Sequence, residues 1–323
     1  MSTESNEDKM RTIGLRYFDL VGFSQAGRPP TLEQYENWLS LGRHGTMSYL
    51  ERHLEKKANP QLLLPGAKSW IVLVTYYDTQ EPLSIELADE LKKNQKGWVT
   101  RYARGEDYHS ALSKKHEALI GELQKEFKND QFLGCVDAQA VLERDAAARA
   151  GLGWVGKNTC LINQKLGSFI FLSEILTTVD LLPDKPVADH CGTCSRCLEA
   201  CPTGALLAPR ELDANLCISF WTIESKNPPP ADLAGKFGAQ FFGCDICQDV
   251  CPWNQKSRRQ NSLPAHAGPG SSSSGIIDVR ELLAQKDEDL KKRFENSALN
   301  RAKPQKLKEN ASRVLKNNTE KAE

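Results

Sequence analysis

Across the first 180 residues the apolar positions fall into short blocks whose spacing predicts helices alternating with strands. Trp70–Tyr77 (WIVLVTYY) is an unbroken β-branched and aromatic run, the pattern of a buried strand. His109, Leu112, His116, Leu119, Ile120, Leu123 and Phe127 recur at helical spacing, and both histidines read simply as positions on that stripe. Phe132–Val136 predicts a short strand that delivers Asp137 to its end. Glu143–Ala150 is Ala-rich and helical. Cys160–Ile162 and Phe169–Leu176 flank Gln164–Gly167 and predict a hairpin.

After Pro183–Pro186 the pattern changes. Cysteine and proline dominate to about Trp253, the mark of a small domain organised by cofactors rather than by an apolar core. Ser262–Gly275 has the composition of a flexible linker, and the chain from Ile276 is helical and charged. The expected organisation is therefore α+β, with an α/β domain over 1–185, a cluster-binding domain over 186–261, and a linker with a helical basic region over 262–323.

Composition narrows the classes. The 323 residues are 40% hydrophobic and 26% charged, and no apolar run reaches the ~20 residues that span a bilayer. Met1–Arg11 is polar and mixed in charge, unlike a signal or transit peptide, so a cytoplasmic address is expected. Ten cysteines in such a chain point to metal or redox chemistry rather than to disulfides. Net charge is zero, so a nucleic-acid partner would need a local patch. Lys291–Lys316 offers one: nine Lys or Arg stand against Glu295 and Glu309, with Lys303, Lys306 and Lys308 the candidate phosphate contacts. The same charges would also suit a solvated helix face.

The cysteines carry the sharpest signal. Cys191, Cys194, Cys197 and Cys201, followed by Pro202, fit C-x2-C-x2-C-x3-C-P, in which the fourth cysteine serves a second cluster. Two-residue gaps wrap a tight turn around one face of a cubane, and the three-residue gap starts a helix that carries its cysteine away. Cys244, Cys247 and Cys251, with Pro252, form an incomplete second copy that Cys217 completes. The crossed pattern places Cys191, Cys194, Cys197 and Cys251 on one 4Fe–4S cluster, and Cys201, Cys217, Cys244 and Cys247 on the other. Structural zinc also takes four cysteines, but seldom at consecutive two-residue gaps before C-P. Cys135 and Cys160 lie outside both runs and read as small buried hydrophobes.

Gly151-Leu-Gly-Trp-Val-Gly156 matches G-x-G-x-x-G, but a helix precedes it and a strand-like run follows, the reverse of a dinucleotide fingerprint. Gly151 reads better as a helix terminator, and Gly153 and Gly156 as points of close backbone approach. Asp137 admits two roles. It can cap the following helix, or it can act as a general acid whose pKa burial would raise.

Taken together, VDAQAVLERDAAARAGLGWVGKNT (Val136–Thr159), HCGTCSRCLEACPTGA (His190–Ala205), CISFWTIE (Cys217–Glu224) and GCDICQDVCPWN (Gly243–Asn254) resemble epoxyqueuosine reductases. LLLPGAKSWIVL (Leu62–Leu73) and Asp107–His109 add to the likeness, which runs from about Leu50 to Asn254. The resemblance implies a nitroreductase-like, cobalamin-binding α/β domain, a two-cluster ferredoxin-like module and a helical C-terminal region. It implies Asp137 as proton donor, and Lys57, Asp137, Leu172, Ser219, Cys244 and Asp245 beside the cobalamin. It further implies a monomer that takes electrons from a low-potential donor and acts on tRNA carrying epoxyqueuosine. Deoxygenating an epoxide needs two electrons and protonation of the departing oxygen, and no side chain supplies such electrons. The sequence departs from the family at Lys57, where relatives often place Arg, and at Pro304 and Glu309 in the tail. Rival readings are a cobalamin-dependent reductive dehalogenase, whose respiratory forms usually carry an export signal, and a ferredoxin-like carrier, which would not need the long α/β domain.

Overall fold

The computed structural model describes residues 4–137, 139–260 and 275–319, and the linker expected over Ser262–Gly275 lies outside them apart from Gly275. The strands are β1 (Leu20–Gln25), β2 (Ser69–Tyr76), β3 (Lys96–Val99), β4 (Phe132–Cys135), β5 (Trp154–Val155), β6 (Leu161–Ile162) and β7 (Ile170–Thr177). They continue with β8 (Leu206–Ala208), β9 (Glu211–Leu212), β10 (Gln240–Phe242) and β11 (Ile276–Asp278).

The main sheet has the order β1-β2-β7-β4, with every neighbouring pair antiparallel. β2 is buried along its whole length because both faces are covered, which is why its sequence is apolar without alternation. Trp70, Val72, Val74 and Tyr76 face a core shared with Ala146 and Ala147 of the helix Glu143–Arg149. Ile71 and Leu73 face the opposite core, shared with Met10 and Ile13 of the helix Asn6–Gly14 and with Leu112, Leu119 and Leu123 of the helix Tyr108–Glu126. Asp107 caps that last helix by accepting the His109 backbone N–H at 3.0 Å.

The expected hairpin needs correction. Asn163 and Gly167 do bridge at its turn, but the flanking runs do not pair with each other. Leu161–Ile162 pairs with β5, while β7 crosses to the middle of the main sheet. Gly151 ends its helix as expected, with φ +68° and the Leu152 N–H reaching back to Ala147 O at 3.1 Å.

A second sheet has the order β10-β3-β11 and takes one strand from each of the three segments read in the sequence. Around it Val99, Phe241, Phe242, Ile277, Leu282, Leu307, Ala311 and Val314 share one core. The C-terminal helix Lys303–Thr319 is thus built into the rest of the protein. Among the described residues no helix is long and apolar enough to cross a membrane.

Candidate active site and thiol centres

β4 ends at Cys135, and Asp137 follows in a left-handed turn at φ +52°. It caps no helix: the next helix starts at Glu143 with Leu142 at its N-cap and no side-chain capping bond. The capping role is therefore wrong. The Tyr108 hydroxyl donates to Asp137 Oδ2 at 2.7 Å, His109 Nε2 lies 3.0 Å from the same oxygen, and Arg301 Nη1 lies at 3.7 Å. These partners, His109 first, hold the Asp137 carboxyl below its ordinary range against the opposing effect of burial. The expected upward shift is corrected: burial was foreseeable from the strand end, but the three donors come from distant segments.

His109 is more than a position on a stripe. Its Nδ1 lies 2.7 Å from Asp107 Oδ1, so both ring nitrogens face carboxylates. Two acceptors favour the doubly protonated ring, and the Asp137 bond leads the causes that raise its pKa. His116 does belong to the buried face, with Nε2 2.9 Å from Ser173 Oγ. Beneath Asp137, Glu143 Oε1 accepts the Asp137 backbone N–H at 3.0 Å, and burial pushes the Glu143 carboxyl up to about 7. Glu174 on β7 is fully buried with both oxygens unpartnered, and burial raises its pKa strongly. Arg301 also feels Glu224, so the C-terminal segment reaches into this carboxylate group. In the sequence Arg301 is one residue of a basic run; its approach to Asp137 depends on how the tail packs, which no local pattern reports.

None of the ten cysteines is in a disulfide. Cys194 N–H bonds to Cys191 O at 3.1 Å in a tight turn, Cys197 lies in the helix Arg196–Ala200, and Cys201 follows that helix. Cys217 follows the turn Ala214–Leu216, Cys247 lies in the helix Ile246–Asp249, and Cys251 precedes the helix Pro252–Gln260. Mutual electrostatics sorts the thiols. Cys197 feels Cys191 and Cys194, and Cys251 feels Cys191 and Cys197. Cys217, Cys244 and Cys247 all feel Cys201. Among the described residues no three His, Cys, Asp or Glu close on a point that one metal ion could occupy; a cubane holds its thiolates farther apart than a single ion does. Cys135 is buried with its thiol pushed up, as a small hydrophobe should be. Cys160 keeps slight exposure, burial pushes its thiol up to about 11, and it sits within electrostatic reach of Cys197, Cys217 and Cys251, which its sequence position did not suggest.

The other expected contacts are scattered. Ser219 immediately precedes the turn Phe220–Glu224, and Cys244 packs beside Ile218. Leu172 borders the main-sheet core on the same face as Glu174. Lys57 is buried, donates to Arg52 O at 3.3 Å and lies 5.8 Å from the Tyr35 ring centre. The Asp245 carboxylate is fully buried and accepts from Trp98 Nε1 at 3.0 Å, from the Arg101 backbone N–H at 2.9 Å and from the Thr100 hydroxyl. Its side chain ties the segment after β10 to the end of β3 and is engaged by three donors from that strand end.

Several charges of the basic tail have partners within the chain. Lys308 pairs with Asp287 at 2.5 Å, and Lys306 donates to Asn227 O at 3.2 Å. Arg293 pairs with Glu281 at 3.1 Å, and Arg313 donates to Gln240 O at 2.8 Å from a buried position. Lys291, Lys292 and Lys303 are exposed.

Residues 190–254 match the family described as the 4Fe-4S double cluster binding domain, and residues 57–138 match epoxyqueuosine reductase QueG, DUF1730. The epoxyqueuosine reductase of Cellulophaga algicola is 40% identical over 312 residues, covering 95% of this chain and 97% of that protein. The Escherichia coli epoxyqueuosine reductase is 35% identical, covering 91% of this chain and 76% of that protein. Among solved structures, an epoxyqueuosine reductase with an epoxyqueuosine-modified tRNA-Tyr stem loop superposes with a TM-score of 0.83 at 30% identity, covering 97% of this chain and 80% of that one. The enzyme from Streptococcus thermophilus superposes with a TM-score of 0.85 at 28% identity, covering 97% and 82%.

Proposed function

The chain belongs to the epoxyqueuosine reductase family, and from that premise we propose that it reduces epoxyqueuosine to queuosine at the wobble position of tRNA. The proposal extends to cobalamin as the reducing cofactor, two 4Fe–4S clusters as its electron supply, and Asp137 as proton donor. It places the cobalamin in a nitroreductase-like domain over 1–185, the clusters in 186–261, and tRNA contacts in the tail. A monomer in the cytoplasm, fed by a low-potential donor, completes it. The observation that carries it is the Asp137 carboxylate, gathered by Tyr108, His109 and Arg301 in a chain that also carries two sets of thiols.

The thiols suit clusters by donor chemistry. Cys191, Cys194, Cys197 and Cys251 would hold one, and Cys201, Cys217, Cys244 and Cys247 the other, in line with their mutual electrostatics. Such clusters, when bound, pass electrons one at a time. A corrin ring, fringed with amide donors, suits the unpartnered buried oxygens of Glu174 on the Leu172 face of β7. Bound cobalamin supplies a low-potential reducing centre that no side chain can replace. Lys57, Ser219 and Cys244 remain the proposed contacts, whereas Asp245 would contribute through its backbone.

Overall, epoxide, two electrons and two protons become alkene and water. In this reading His109 Nε2 stores a proton opposite Asp137 Oδ2, Asp137 delivers it to the departing oxygen, and solvent supplies the second proton that completes the water. Arg301 orients that carboxylate. The His109 pKa is raised above its ordinary 6.5, so the imidazolium is fully present below that value and is lost as pH rises through the raised value. Asp137, being lowered, keeps its charge until pH falls below the ordinary carboxylate range. Activity should therefore have a basic limb above pH 6.5. Asp107→Asn, which retains a helix cap but removes one carboxylate from the ring, should move that limb down. A pH–rate profile with the same limb in both proteins would remove His109 from the proton path.

The tail makes a second expectation. Neutralising Lys291, Lys292 and Lys303 should flatten the log–log salt dependence of tRNA binding by about 3. Neutralising Lys303, Lys306 and Lys308 should flatten it by only about 1, because Lys306 and Lys308 already have internal partners. Equal slopes for the two triple variants would contradict this division.

Cofactor and reaction class can be tested together. Anaerobically loaded protein should retain a corrinoid spectrum through gel filtration, convert modified tRNA and leave haloaromatics intact. Loss of the corrinoid would favour a simple electron carrier, and dehalogenation without tRNA turnover would favour a dehalogenase.

A further inference from the structure

The glycine motif that fails as a dinucleotide fingerprint has another use. A Cβ on Gly153 would strike the backbone carbonyl of Ile162, and one on Gly156 would strike the Ile162 side chain. Only glycines let β5 lie so close against β6. That approach carries Trp154 and Lys157 onto the first cysteine turn. The Trp154 indole N–H donates to Cys191 Sγ at 3.4 Å. Lys157 Nζ donates to Gly192 O at 2.7 Å and to Cys194 O at 2.9 Å. Arg210 braces the hairpin, donating its backbone N–H to Lys157 O at 3.0 Å and its Nε to Val155 O at 2.9 Å. Trp154 is itself buried, edge-on to His190 and Trp253, each at 5.1 Å.

We infer that this glycine hairpin sets the reduction potential of the cluster that Cys191 ligates, with Trp154 donating to the ligating sulfur and Lys157 fixing the ligand turn. The inference rests on Cys191 being a cluster ligand. A donor aimed at a thiolate stabilises the more negative, reduced cluster more than the oxidised one, and so raises the potential. The Lys157 ammonium acts in the same sense and holds the turn in register with the indole. Trp154 is a positioning residue in this role, since it touches the cluster ligand and not the substrate.

The test is an EPR-monitored anaerobic redox titration of the fully loaded protein, with dithionite as reductant. Trp154→Phe keeps the aromatic packing and deletes the N–H. One of the two cluster midpoints should fall by about 59 mV, a tenfold change in a one-electron equilibrium, while the other stays in place. Trp253→Phe alters the neighbouring ring without touching the donor and should leave both midpoints unchanged. Unchanged midpoints in Trp154→Phe, or an equal shift in Trp253→Phe, would overturn the inference. Should Trp154→Phe fail to load, pulsed EPR of the wild-type protein with nitrogen-labelled indole decides. A coupling from the label to the reduced cluster supports the bond, and none overturns it. Wild-type iron well short of about eight per chain would instead defeat the cluster reading, and this inference with it.

Discussion

Asp137→Asn should lower single-turnover conversion of modified tRNA by about a hundredfold or more, the range for a lost general acid. Melting temperature, iron content and cobalamin retention should stay at wild-type values. Asn tolerates the left-handed turn at φ +52° and still accepts from Tyr108, so the fold loses little. The ion pair with Arg301 is 44–45% exposed on both sides and contributes modestly to stability. Asp137→Ala should lose the same activity and destabilise in addition, by roughly 1 kcal/mol, because Ala is less tolerant of that turn. Thermal melts beside the rates separate the two effects. An Asn variant that turns over at the wild-type rate would remove Asp137 from the chemistry.

Cys217→Ala should abolish turnover and lower iron from about eight to about four per chain. Cys217 lies outside both C-x2-C runs, yet its thiol is within electrostatic reach of Cys201 and Cys244. The surviving cluster should keep its EPR signal. Cys135→Ala, at a buried thiol with no cysteine partner, should leave iron unchanged. Unchanged iron in Cys217→Ala would break the proposed ligand set and reopen Cys160, which is the nearest unassigned thiol.

What the sequence disclosed was what local spacing can encode. β2 and the helix Tyr108–Glu126 follow from a continuous apolar run and a helical stripe, and both form within a residue of the expected bounds. The cysteine turns are equally local. The pairing of β5 with β6 was not visible, because two-residue strands have no periodicity and the contact depends on Gly153 meeting Ile162. Nor was the β10-β3-β11 sheet, whose three- and four-residue strands come from far-separated segments and share a core only after the tail has packed. The same distance hid the chemistry of Asp137. Its place after a strand was legible, whereas the Arg301 and His109 contacts that reverse the sign of its pKa shift were not. The lysines of the tail show the limit of counting charges. The run could be a phosphate patch or a solvated helix face, and only the fold shows that Lys306 and Lys308 have partners within the chain whereas Lys303 is exposed.

The most direct test of the account is nucleoside analysis after one anaerobic turnover. Protein loaded with both clusters and cobalamin, reduced, and mixed with tRNA carrying epoxyqueuosine should yield queuosine, one oxygen lighter, with Asp137→Asn leaving the epoxide in place. Unconverted epoxyqueuosine in the presence of wild-type protein with full iron and corrinoid content would contradict it.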